Sequence, residues 1–290
     1  MRARCAVEGA IGLLILWSLW APRPAAAGPS PRVMSLDQCA DQYVLALSPR
    51  AAIVGLSPRA RAGDSLLAPL ATGLPIRRAD SESALASRPR VVVRYWGGDP
   101  PLLRTLTRRG VRVVTIDDAT DFSGVRRDVR RVAAALGEVH RGERLIRRMN
   151  AQLAASRGAW GGRGALYLTS GGATAGSGTL IDAMLAAAGL RNLASGPGFR
   201  AVSLERLVSN PPAAVVEGFF DAPSQARVHW GPGRHGALRR VTSGRALVSL
   251  PGSLLGCPAW FAADAVRLIA NAAPAGTGRC ATGRPMAPCA

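Results

Sequence analysis

The amphipathic stretch 121–160 constrains this chain more than any other, because the segments before and after it read alike. Val125, Val129, Val132, Ala133 and Leu136 recur at helical spacing. After Gly137 a second phase runs through Val139, Leu145, Ile146, Met149 and Leu153, with arginines on the opposite face, and Gly158, Gly161 and Gly162 end it. An apolar stripe of this length must lie against something, and the strand-rich segments on either side are the available partners. The reading is a rigid helical strut joining two lobes; the plainer alternative is a surface helix inside one large α/β domain.

Before the strut, segment 31–58 reads as strand 32–36, helix 39–47 capped by Asp37, and strand 52–56. A Gly/Pro-punctuated part follows, then a helix over 81–87 capped by Ser81. Strand 91–93 runs out at Tyr95 and Trp96 into Gly97-Gly98, and helix 100–109 leads to strand 111–116. Beyond the strut the pattern repeats: strand 165–168, Gly-rich loop 170–178, helix 179–188, short helix 203–208, strands 213–216 and 246–250, and a last helix over 258–272. Strands alternating with helices imply parallel sheets covered on both faces. The predicted fold is α/β: two Rossmann-like lobes with mostly parallel sheets joined by a long backbone helix. A ligand cleft is expected between the lobes, beyond the carboxyl ends of the strands. The divisions are a signal peptide over 1–27, an N-terminal lobe over 28–120, connecting helices over 121–160, a C-terminal lobe over 161–273 and an irregular tail over 274–290.

Arg2 and Arg4 precede an apolar run over 10–21, and Ala25-Ala26-Ala27 offers a small-residue cleavage site, which is the pattern of a cleavable secretory signal. The run is short for a membrane span, and no later stretch approaches about 20 apolar residues. Export to the periplasm is the expectation. The net charge is +19, and a basic balance of that size raises nucleic acid or anionic membranes as partners. Yet all 37 basic residues are arginine, scattered and without aromatic interleaving, so compositional bias explains the charge and nucleic acid is not expected. Four cysteines follow the signal. Cys280 with Cys289 is the favoured disulfide, leaving Cys39 and Cys257 either paired or free. Neither spacing resembles a zinc site, and His140, His229 and His235 do not cluster with the cysteines.

The loop over 171–179 is no phosphate loop, since Ser177 stands where the lysine would be, and it lacks the third glycine of a dinucleotide fingerprint. No nucleophile with a placed base appears. Asp117 and Asp118 follow a strand and carry the enzyme alternative, an exported α/β enzyme acting on a small anionic substrate; a scaffold with an empty cleft is a further rival. Binding is the better class. The chain is poor in aromatics, yet Tyr95, Trp96, Phe199, Trp260 and Phe261 fall at strand ends or loops, where rings suit a large flat ligand. Arg59, Arg94 and Arg200 are placed to hold its anionic groups, and Asp37, Cys39 and Ser170 complete the cleft candidates.

The opening RVMSLDQCADQYVLALSPRAAIVGLS, the segment DSESALASRPRVVV from Asp80, YLTSGGATAGSGTLIDAMLAAAGLRNLA and VSLERLVSNPPAAVV resemble one family over residues 31–272. It is the periplasmic substrate-binding proteins of the helical-backbone class, which serve ABC importers of cobalamin, ferric siderophores and haem. The resemblance implies a monomer that captures a metal chelate or macrocycle and delivers it to a membrane permease and, through that, its ATPase. It implies no cofactor beyond cobalt or iron in the ligand itself. By motif position the permease-docking acids fall on Glu82 and Glu205, and Trp96 and Phe199 fall near aromatics of the cobalamin binders. The loop GCPAWFAADAV departs from the family's small-residue pattern through Trp260 and Phe261. With no histidine before residue 140, a bare metal ion is not the expected ligand.

Overall fold

Short β-branched runs alternate between two buried environments, and that alternation builds the first sheet. The computed structural model describes residues 30–221 and 245–274, with positions 236, 240 and 243. Strands β1 (Val33–Ser35), β2 (Ile53–Gly55), β3 (Val91–Arg94) and β4 (Arg112–Thr115) pair in parallel in the order β2-β1-β3-β4. Val33, Val91 and Val93 face the main core, while Met34 and Val92 face a smaller cluster with Leu102 and Leu106. Helix α1 (Gln38–Leu47) packs on the first face, and α2 (Ser81–Ser87) and α3 (Pro100–Arg108) on the second. Each helix begins at a carboxylate that accepts a backbone N–H: Asp37 from Ala40, Asp80 from Ser83, Asp99 from Leu102. The cap of α2 is therefore Asp80 and not Ser81, which is the first helical residue.

The strut is two helices. Helix α4 (Phe122–Ala135) ends against Gly137, whose φ of 72° suits glycine, and α5 (Val139–Ser156) runs for about 27 Å beyond it. Val125, Val129 and Val132 of α4 enter the main core. The two helices meet where Gly142 faces Ala133, and a Cβ at Gly142 would lie 2.6 Å from that of Ala133. Gly142→Ala is expected to cost about 1–3 kcal/mol by forcing the pair apart, read as a lower urea midpoint; an unchanged midpoint would show that the helices have slack.

In the second lobe, β5 (Gly164–Thr169), β7 (Arg191–Asn192), β9 (Ala214–Gly218) and β10 (Ala246–Leu250) form a parallel sheet in the order β10-β9-β5-β7. Strand β6 (Ala173–Ala175) pairs antiparallel with β8 (Phe199–Ala201), so the expected Gly-rich connection contains a strand. Helices α6 (Leu180–Ala187), α7 (Leu204–Ser209), α8 (Gly252–Leu255) and α9 (Ala262–Asn271) complete the lobe. The last helix starts later than its apolar pattern suggests because Cys257, Trp260 and Phe261 turn inward before it.

One hydrophobic core runs through both lobes. Tyr43 of α1 meets Trp260 edge-on at 5.2 Å, its hydroxyl donates to the Pro258 carbonyl at 2.8 Å, and Trp160 Nε1 donates to the Ile269 carbonyl at 2.7 Å. Helix α5 is tied to α9 by Gln152 Nε2 on Asp264 at 2.6 Å. Cys39 and Cys257 form a disulfide across the lobes. Cys280, Cys289, His229, His235, the signal segment and all but the first residue of the tail lie outside the described residues. Among the described residues no helix is long and apolar enough to cross a membrane.

Candidate ligand-binding cleft

The C-terminal ends of the strands in both sheets open onto one cavity of about 420 Å³. From the first lobe it is lined by Tyr95, just beyond β3, and by Asp118, Ala119 and Thr120 after β4. The second lobe contributes Ile181 and Met184 of α6, Phe199 of β8, Phe219 after β9, Leu255 at the end of α8, and Gly256, Cys257 and Pro258 after it. This is where an open parallel sheet leaves unoccupied loops, here supplied twice and facing each other. The wall is apolar with a few placed polar groups, the composition expected of a small-molecule site.

Tyr95 carries the one phenol of the first-lobe wall. Its hydroxyl donates to Asp118 Oδ1 at 2.7 Å, and burial, then the Asp118 carboxylate, pushes the phenol up to about 12. Its ring meets Trp96 edge-on at 5.2 Å. Trp96 is 73% exposed and Phe199 64%, so Phe199 on the cavity wall and Trp96 beside Tyr95 both stand open to solvent. A soluble protein gains nothing in stability from such exposure, and open aromatics beside a cavity mark a contact surface. Phe219 holds a φ of 63°, a strained conformation for a bulky residue, and it lines the cavity.

Of the residues expected in the cleft, Tyr95 and Phe199 line it and Trp96 stands beside Tyr95. The others serve elsewhere. Trp260 and Phe261 are buried and pack on each other, and Trp260 also meets Tyr43, so they fill the junction between lobes. Cys39 is buried in its disulfide. Asp37 accepts N–H groups from Ala40, Tyr95 and Gly97. Ser170 is buried and donates to the Phe219 carbonyl at 3.4 Å. Arg59 is exposed and bonded to Asp64 and Gln38, while Arg94 bonds the carbonyls of Trp96 and Gly97. Arg200 borders a separate hollow of about 520 Å³ with Glu205. Among the described residues lining the cleft, none is an arginine. Asp117 is held by Arg131 at 2.5 Å, which keeps its carboxyl below the usual range and leaves it a poor base.

Met184 and Phe219 were not singled out by the sequence. Met184 is hidden in an ordinary helical apolar pattern, and the only signal for Phe219 is its place directly after a strand. Among the described residues no group of three or more His, Cys, Asp or Glu is placed to hold a metal ion.

No protein-family model matches the chain, and no curated protein does. Solved structures do. A periplasmic haem-binding protein from Pseudomonas aeruginosa superposes with a TM-score of 0.59 at 26% identity, over 84% of this chain and 92% of that one. The chain shares the two-lobe α/β fold of periplasmic binding proteins. The haem-binding RhuT of Roseiflexus sp. RS-1 matches this chain with a TM-score of 0.61 at 24% identity, over 84% and 97% of the two chains. The vitamin B12-binding BtuF of Vibrio cholerae matches at 0.58 and 16% identity, over 84% and 96%, and shares the fold alone. Each of these neighbours is described as a binding protein, and none as an enzyme.

Proposed function

We propose that this binding protein captures ferric haem between its lobes in the periplasm and hands it to an ABC permease. The observation that carries the reading is the Tyr95 phenol, hydrogen-bonded to Asp118 in the interlobe cavity beside the open rings of Trp96 and Phe199. A phenolate is a hard oxygen donor suited to ferric iron, and tyrosine is among the residues that ligate haem iron axially. Aromatic rings suit the faces of a porphyrin. The free protein keeps Tyr95 protonated; when iron binds, the phenolic proton leaves and Asp118 is the acceptor in place for it. The identity with the Pseudomonas haem-binding protein supports the same choice. An interlobe disulfide fits an oxidising compartment such as the periplasm. Glu82 and Glu205 are exposed, each in the first turn of a short helix, one on each lobe, which supports their docking role toward the permease.

The test is a titration of the mature protein with hemin, cyanocobalamin and several ferric siderophores, followed by tryptophan fluorescence and visible absorption. Hemin is expected to saturate and to show a ferric–phenolate band. Asp118→Asn is expected to weaken binding about tenfold, and Tyr95→Phe by more than that with loss of the band. Affinity should rise with pH, since binding releases the phenolic proton. Saturation by cyanocobalamin alone, or hemin binding indifferent to Tyr95, would overturn the haem reading.

A further inference from the structure

The loop that carries Tyr95 and Trp96 is held from two sides. Asp37 Oδ2 accepts the N–H of Tyr95 at 2.6 Å and that of Gly97 at 2.9 Å, while its other oxygen, Oδ1, caps α1 at Ala40. On the opposite side, Arg94 Nε donates to the Gly97 carbonyl at 2.6 Å and its guanidinium also reaches the Trp96 carbonyl at 3.2 Å. Gly97 makes the approach feasible. A Cβ there would lie 2.5 Å from the Leu36 carbonyl oxygen and 2.9 Å from Asp37 Oδ2. A helix cap needs only one acceptor oxygen. The second oxygen of Asp37 is spent on the loop, and charge-assisted bonds of this length are among the stronger ones a carboxylate makes.

We propose that Asp37 is a positioning residue for the ligand: it holds the loop 95–97 so that the Tyr95 phenol and the Trp96 ring are presented to the cargo in advance of binding. The proposal rests on the haem reading for its probe. A preorganised donor loses little freedom when it binds, and a loop that must be ordered on binding costs affinity. Two residues along the chain from Asp37, Cys39 carries the disulfide to Cys257, which lines the opposite wall of the cavity. Asp37 therefore lies on a short covalent and hydrogen-bonded path that sets one wall of the cleft relative to the other.

The helix cap and the loop contact are separable. Asp37→Ser keeps a good cap for α1 and removes the oxygen that reaches the loop. Asp80→Ser makes the same exchange at the cap of α2, away from the cavity, and serves as the control. Gly97→Ala displaces the loop from Asp37 while keeping the Asp37 carboxylate that caps α1. Hemin affinity, the ferric–phenolate band and the melting temperature of the ligand-free protein are measured for all four proteins. Asp37→Ser and Gly97→Ala are expected to weaken hemin binding about tenfold or more and to shift the band. Asp80→Ser should match the parent in both, and Asp37→Ser should melt somewhat lower than Asp80→Ser because it also loses the two loop bonds. If Asp37→Ser destabilises the fold far more than Asp80→Ser, the Gly97→Ala result decides. Parent-like binding and spectrum in Asp37→Ser or in a folded Gly97→Ala would overturn the positioning role. Failure of the parent to bind hemin would instead overturn the haem reading, and this proposal with it.

Discussion

Replacing Cys39 and Cys257 together by serine is expected to lower the unfolding free energy by about 5 kcal/mol. The disulfide joins positions 218 residues apart, and closing a loop of that length removes a large share of the unfolded chain's freedom. It also ties α1 of one lobe to the segment before α9 of the other, beside the Tyr43–Trp260 contact. Guanidinium denaturation of the oxidised parent and the double variant gives the difference directly. Equal midpoints would show that core contacts alone hold the lobes together. The same variant bears on closure. With a disulfide, a shared core and two packed helices between the lobes, ligand should compact the parent only slightly in solution scattering. A large compaction of the oxidised protein on adding hemin would contradict that account of the junction.

Stability is expected to fall as pH rises from about 4 to about 6, through Asp41. This carboxylate is fully buried in the first lobe, where it accepts from the hydroxyls of Ser35 and Ser57 and from the Ser57 N–H at 2.9 Å. Burial outweighs those bonds and pushes its pKa to about 6 from an ordinary value of 3.8. A folded-state pKa above the unfolded one means that the native chain holds the proton more tightly. Its contribution is complete below the unfolded value and disappears as pH passes the folded one. Two units correspond to about 3 kcal/mol. Asp128, also buried, is pushed the same way to about 6, whereas hydrogen bonds and arginines lower Asp117 and Asp121, whose contributions run in the opposite sense. The whole profile is a sum, so the comparison of interest is between the parent and Asp41→Asn. The amide keeps an acceptor for Ser57 and cannot ionise. Urea midpoints of the two are expected to converge at pH 4.5 relative to pH 7.5, with the variant at least as stable as the parent at the higher pH. A parent advantage at pH 7.5 would mean that the charged form is better solvated by its serines than burial suggests.

Much of the first lobe was legible in the chain. The triplets around Met34 and Val92 alternate cleanly, and Asp37 announces α1 because a carboxylate three residues before the helical N–H that donates to it is a local arrangement. Gly137 already marks a change of helical phase in the chain, but only the fold shows that Gly142 lets the two helices touch. The cleft was legible in part. Tyr95 and Phe199 sit at strand ends, and strand ends of parallel sheets border ligand sites, so position along the chain was enough. Trp260, Phe261 and Arg59 look equally suited by type and place, yet two pack between the lobes and the third pairs with Asp64.

The sequence by itself determined what depends on near neighbours: the order of strands and helices, the helix caps, and the identity of the residues that follow each strand. Hydrophobic period and capping chemistry act over a few residues, so they are written locally. Only the tertiary structure decided which of those residues face one another. The pairing of Cys39 with Cys257, the bond between Tyr95 and Asp118, and the second oxygen of Asp37 on the loop at Gly97 all join distant parts of the chain or adjacent loops. Such contacts depend on how two sheets pack around a shared core, and no local pattern encodes that distance.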